Sequence, residues 1–225
     1  FPGVGLGPDG ELNGQFLGES ITQHVLAPIF GALLTPQAAV RNARFLSDLA
    51  QQAGVTTMSE LAFGLVDIPL EREVLKTTFD NAAANQRLVV VVDGRTFAKT
   101  YGADAIAEAT KLRDASSDRL MFEGVKFFSD DSFLSFGMEI QNPGYVQSDR
   151  YHGVFMFANP SEFVASMAPW WKANFHIHVH TNGNAGNQAT IDALDALQKE
   201  KPRFDHRFTF EHFGISTPEQ ARRVK

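Results

Sequence analysis

Hydrophobic and polar positions alternate along this chain with two periods, and the switches between them mark its elements. Arg87–Asp93 (RLVVVVD) is a continuous apolar run, the pattern of a strand buried on both faces. Leu120–Ser129 and His206–His212 also read as strands, and Val55–Met58 as a short one. Phe175–His180 alternates strictly, so His176, His178 and His180 share one face and Phe175, Ile177 and Val179 the other. Between these runs the period lengthens. Thr35 with Pro36 opens a helix carried by Ala39, Ala43, Leu46 and Leu49 to a stop at Gly54. Residues 69–84, Ala103–Arg113 and Ala185–Lys199 follow as helices. Asn159-Pro160-Ser161-Glu162 and Thr217-Pro218-Glu219-Gln220 each carry a capping signature and start two more. Residues 1–34 are Gly- and Pro-rich and are expected to be a loop-rich connection, and Asp130–Asn159 a long polar and aromatic loop.

Strand and helix alternating in this way predict βαβ units on a parallel sheet. About five such strands fit part of a closed (β/α)8 barrel of about 250 residues, and they also fit an open sheet. No Gly-x-Gly-x-x-Gly follows any strand, which removes support for a dinucleotide site.

Composition narrows the chemistry. The 225 residues are 44% hydrophobic, enough for a sizeable core, and carry a net charge of −6. No basic run provides the footprint of a nucleic-acid partner. Cysteine is absent, which excludes disulfides, thiolate metal sites and a cysteine nucleophile within these residues. No stretch reaches the ~20 apolar residues of a membrane span, and no export signal is visible, so cytoplasm is the default expectation. The chain starts without Met and stops inside a fresh helix, and is expected to be a segment of a longer protein.

Three strands end on unusual residues. In a parallel barrel the C-terminal strand ends carry the chemistry. His180 and His212 close adjacent strands, and two imidazoles delivered to one rim form half a metal site suited to zinc and similar ions. A single strand-end histidine is more often a surface or hydrogen-bonded residue, so the pairing carries the weight. His176 and His178, deeper in the strand, read as core polar groups or as supports. Lys126 lies among Val125, Phe127 and Phe128, where an ammonium is unfavourable unless paired or neutralised. The structural reading is an ion pair with Glu123 or Asp130; the functional one is a neutral amine that reacts with CO2 to give an anionic carbamate. Glu211 alternates away from His212 and is expected to support the sheet or a loop. Trp170 and Trp171 read as core, and the loop around Phe133, Phe136 and Tyr145 as a substrate lid.

At these residues the chain resembles the amidohydrolase-3, or YtcJ-like, branch of the amidohydrolase superfamily. Gly124-Val125-Lys126-Phe127-Phe128-Ser129-Asp130 is similar to its metal-bridging lysine strand, His178-Val179-His180-Thr181-Asn182-Gly183-Asn184 to its His-x-x-Gly-Asp stretch, and His206–His212 to its His-Arg-x-x-x-Glu-His strand. Asp9-Gly10-Glu11, with Asn13-Gly14 and Glu19, resembles its upstream Asp-Gly-Glu segment. Asn184 stands where the family has Asp, and Asp131 where it has Gly. The resemblance implies a (β/α)8 TIM-type barrel, incomplete in this segment, with all 225 residues belonging to one catalytic domain. It implies hydrolysis of non-peptide C–N bonds of a small amide-type substrate, N-substituted formamide deformylase being one named member. One or two divalent ions, zinc foremost, would be held by Lys126, His180 and His212, with His178, Asp130 and Glu19 as supporting or substrate-contacting candidates. The family's His-x-His pair and catalytic aspartate lie outside the matched stretch, so no general base is assigned here and the segment alone is expected to be inactive. Two other readings stand beside it: a non-catalytic domain of the same fold, and a metal-free enzyme using Lys126 as a Schiff-base amine.

Overall fold

The computed structural model describes residues 4–16, 25, 28–29, 35–146 and 151–225. Within the stretch expected as loop, β1 (Val4–Leu6) and β2 (Leu12–Phe16) form a solvent-exposed antiparallel hairpin. Five parallel strands then form a second sheet in sequence order: β3 (Thr57–Phe63), β4 (Arg87–Asp93), β5 (Leu120–Phe128), β6 (His176–Thr181) and β7 (Thr209–His212). The helices are α1 (Pro36–Gln52), α2 (Ile68–Phe79), α3 (Gly94–Tyr101), α4 (Ala105–Asp114), α5 (Pro160–Lys172), α6 (Asn184–Glu200) and α7 (Pro218–Val224). No helix among the described residues is long and apolar enough to cross a membrane.

The sheet corrects the expectation of a (β/α)8 barrel. Closure requires the last strand to hydrogen-bond to the first, and here β3 and β7 are the two edges of an open five-stranded sheet. Strand–helix alternation is common to open sheets and barrels, so the pattern that supports the α/β class does not fix closure.

Local chemistry explains most boundaries. Thr35, Asn159 and Thr217 accept from the main-chain N–H groups of Ala38, Glu162 and Gln220, satisfying donors that the first helical turn leaves free. Helix α3 was not expected. Asp93 ends β4 and its carboxylate also caps α3 by accepting from Thr96 N at 2.7 Å, so helix follows strand with no connecting residue.

The core runs along the apolar face of β3 to β6, with α2, α3 and α4 against β5 and α5 and α6 against β6. Phe163, Met167, Trp170 and Trp171 pack there with Val125, Phe127, Phe175, Ile177, Val179 and Leu197. Trp171 is fully buried; its Nε1–H donates to the Lys201 carbonyl at 2.8 Å, and the Arg203 guanidinium stacks 4.5 Å from its ring. Trp171→Ala removes the ring and leaves that carbonyl without its donor, so a loss of about 3–5 kcal/mol is expected. Chemical denaturation of the full-length protein checks this; a loss below about 1 kcal/mol would place the centre of the core elsewhere.

Candidate functional site

Parallel register brings the polar residues together. Asp93 pairs with Lys126, Lys126 with His178, Phe128 with His180, His180 with Glu211, and Thr181 with His212. Six ionisable side chains from four neighbouring strands, Asp93, Lys126, His178, His180, Glu211 and His212, are therefore brought together towards the C-terminal end of one sheet.

Lys126 is 3% exposed, and its Nζ forms an ion pair with the Glu211 carboxylate. Neither Glu123 nor Asp130, the expected partners, takes that role. Glu123 pairs with His176 and Arg207 near the start of the strands, at 3.3 Å to each. The other Glu211 oxygen lies 3.2 Å from His178 Nδ1, so this buried carboxylate joins β5, β6 and β7. Burial lowers the Lys126 amine to about 8, with the Asp93 carboxylate pulling upward against it. One Asp93 oxygen is buried without a hydrogen-bond partner.

His180 and His212 meet edge to face with ring centroids 4.7 Å apart. The Phe128 ring lies 5.2 Å from His180 and 5.0 Å from Lys126 Nζ, so lysine and histidine flank a shared aromatic ring. Strict alternation put His212 on the inner face and Glu211 off it. The structure gives Glu211 the inner position. His212 leaves strand geometry with φ 71° and Phe213 follows with φ 50°, a left-handed kink that brings the imidazole back to His180. Such backbone is unfavourable for non-glycine residues and persists only where surroundings enforce it. Here Phe213 N–H donates to the Thr181 carbonyl at 2.9 Å.

The imidazoles are held neutral. Burial, then the neighbouring Lys126 and His176, lower His178 to about 4. Burial, then His212 and Lys126, lower His180 to about 4 against the opposing Asp131 carbonyl and carboxylate. His212 is lowered in the same direction by burial and by Lys126.

Asp130 belongs to the scaffold of the rim. Fully buried, it accepts main-chain N–H bonds from Gly183 at 2.7 Å, Asn182 at 2.8 Å and Glu139 at 2.9 Å. It thereby fastens the end of β5 to the start of α6 and to the aromatic loop. In that loop Phe136, Tyr145 and Tyr151 form a cluster, with Phe133 and Leu134 exposed beside them. Glu19 lies outside the described residues. The residues missed from sequence are Glu211 as the partner of Lys126, and Asn182. A buried lysine signals that some carboxylate must approach it, but not which one.

The lowered histidines set a pH dependence. Their folded values lie below the ordinary 6.5, so the unfolded chain takes up protons first as pH falls. In ion-free protein this stability is complete above about pH 6.5 and lost towards about pH 4. The loss attached to His178 is on the order of 3 kcal/mol. Melting temperatures over that range should fall in the wild type and fall less in His178→Gln; parallel curves would contradict a buried neutral His178.

No family model matches the sequence, and no curated protein matches it. Two crystal structures do match the fold, each of an uncharacterized metal-dependent hydrolase. The one from Pyrococcus horikoshii OT3 has a TM-score of 0.70 at 14% identity, over 98% of this chain and 42% of that one. The one from Pyrococcus furiosus has a TM-score of 0.70 at 15% identity, over 100% of this chain and 42% of that one. The chain thus spans under half the length of the structures it matches, and at this identity the likeness is one of fold.

Proposed function

We propose that these strands carry part of the site of a metal-dependent hydrolase acting on non-peptide C–N bonds, with His180 and His212 as ion donors and Lys126 beside them. The observation that carries the reading is the pair of adjacent neutral imidazoles at the ends of neighbouring parallel strands. Two uncharged imidazoles suit a divalent ion such as zinc. Among the described residues no group of three or more His, Asp or Glu side chains is placed to hold one, so further donors are required. The fold shared with two metal-dependent hydrolases supports the reading, and the motif resemblance supplies the C–N bond class.

Lys126 supplies one such donor if its amine is converted. The ammonium first gives one proton to Glu211, its ion-pair partner; the neutral nitrogen then attacks the carbon of CO2, a C–N bond forms as one C–O π pair moves onto oxygen, and the second proton is released to solvent. The product carbamate is an anionic oxygen donor. A bound divalent ion would supply a water of lowered pKa and polarise the scissile carbonyl. The chain's own residues hold geometry: Glu211 fixes Lys126 and His178, and the kink at His212 fixes the second imidazole.

Metal analysis of the full-length protein tests this. Wild type should carry a stoichiometric divalent ion. His180→Ala and His212→Ala should each retain less than about a tenth of it and lose turnover of amide-type substrates, with melting nearly unchanged. Full metal content and activity in His212→Ala would sink the assignment. Lys126→Ala should also abolish turnover, and a short carboxylic acid should restore part of it by filling the carbamate position. Borohydride trapping of a substrate on Lys126 would replace this reading with a Schiff-base mechanism.

A further inference from the structure

The loop after β5 is folded against itself. Its two arms are joined by main-chain bonds: Val154 N–H donates to the Gly137 carbonyl at 3.0 Å, Ile140 N–H to His152 at 2.8 Å and Tyr145 N–H to Tyr151 at 2.9 Å. This pairing sets three rings side by side. Tyr145 and Tyr151 stack with centroids 5.6 Å apart, and Phe136 meets Tyr145 edge to face at 5.8 Å. Phe136 is 63% exposed yet has φ 56°, so its ring is held at the surface by backbone that a non-glycine residue does not favour.

Asp131 lies beside these rings. Its side chain packs on Gly137, where an added Cβ would fall 2.9 Å from Oδ2 and push the carboxylate away. Oδ1 accepts from Ser132 N–H at 2.7 Å, and among the described residues no basic side chain pairs with this carboxylate. Burial and then Asp131 raise the Tyr151 phenol above its ordinary value, and Tyr145 is raised by burial and by neighbours that include Asp131. The charge is therefore within electrostatic reach of both rings. The Asp131 main-chain carbonyl accepts from the Asn182 side-chain nitrogen at 3.1 Å, and that nitrogen lies 2.9 Å from His180 Nε2. The ring cluster thus borders the rim where His180 and His212 meet.

A carboxylate without a counter-ion, next to electron-rich rings, attracts a cation. Hydrogen bonding contributes little here, because Asp131 Oδ1 is already engaged and the Tyr145 hydroxyl donates to the Met138 carbonyl at 3.2 Å. Recognition by charge and ring faces suits a methylated ammonium. We propose that Asp131, Phe136, Tyr145 and Tyr151 form a subsite for a methylated ammonium group carried by the substrate. The proposal rests on the hydrolase reading above and names the arm of the substrate that lies away from the scissile bond.

Binding is measurable without turnover. Full-length protein stripped of metal is titrated with choline and with neohexyl alcohol, its neutral carbon isostere, by ligand-observed NMR. Choline should bind about tenfold more tightly. Asp131→Asn and Tyr151→Leu should each remove most of that preference. Should Asp131→Asn not fold, Phe136→Gly gives a second reading: it relieves the positive φ, so choline binding should weaken several-fold with no loss of melting temperature. Equal binding of the two probes to wild type overturns the proposal, as does a preference that survives in these variants. Turnover by metal-loaded protein separates the two ideas. Of two amides that differ only in ending in trimethylammonium or tert-butyl, the charged one should have about tenfold higher kcat/KM, and the ratio should approach one in Asp131→Asn. If choline binds as stated and neither amide is cleaved, the hydrolase reading falls and the cation site remains. If both amides are cleaved equally and choline does not bind, the cation site falls and the hydrolase reading remains.

Discussion

A buried ammonium in the middle of a parallel sheet requires a carboxylate beside it, and the ion pair between Lys126 and Glu211 is the contact on which the site depends. Removing either member would leave the other charged, dehydrated and alone, a change worth about 3–5 kcal/mol in buried pairs. The pair also ties three strands together. Lys126 rises from β5, Glu211 comes from β7, and the second Glu211 oxygen lies against His178 of β6 between them. A well-packed apolar trio would hold the sheet at least as tightly. The polar arrangement is therefore better explained by what it does to its neighbours. Burial brings the Lys126 amine within reach of neutrality, and while protonated the same group adds positive charge that helps hold His180 and His212 uncharged.

A second constraint acts at the loops. Five parallel strands end on one side, and their following segments must cross a crowded rim without leaving main-chain groups unpaired. Asp130 resolves part of this by accepting three N–H groups at once, and Asn182 and Asn187 resolve more. Asn187 accepts from Thr181 Oγ1 at 2.8 Å and donates to the Ile215 carbonyl at 2.8 Å. These bonds tie the segment after His212 to the end of β6. They account for two consecutive residues, His212 and Phe213, being held in a left-handed conformation that neither favours. The strain is local; the bonds that enforce it come from neighbouring strands and loops.

What was readable in the sequence follows the range of the interactions concerned. The caps at Thr35, Asn159 and Thr217 involve partners three residues away, and each stands where the sequence places it. The apolar run Arg87–Asp93 and the alternation of His176–His180 depend only on neighbours, and both are strands. Helix α3 escaped notice because Asp93 serves two elements and leaves no turn between them. Closure of the sheet into a barrel was expected from motif resemblance, and the open edges at β3 and β7 correct it. The partner of Lys126 was out of reach for a different reason. Glu123 and Asp130 are near in sequence, whereas Glu211 becomes near only once β5, β6 and β7 pair in register.

The parity of β7 shows how a sound local rule misleads at a strand end. Alternation applies while a strand keeps extended backbone, and it assigned His212 and Glu211 to opposite faces. Both nevertheless reach the same group of side chains. Glu211 does so by regular strand geometry, since it lies beside His180 in register. His212 does so by abandoning that geometry one residue later. A strand delivers two consecutive residues to one face only where it departs from regular extended geometry, and at its end the next peptide no longer has to serve the ladder. Glu211 and His212 are adjacent in sequence and lie at that position. This arrangement places a buried carboxylate and an exposed imidazole at one rim, and the hydrogen bond from Phe213 N–H to the Thr181 carbonyl holds the kink that sets the imidazole against His180.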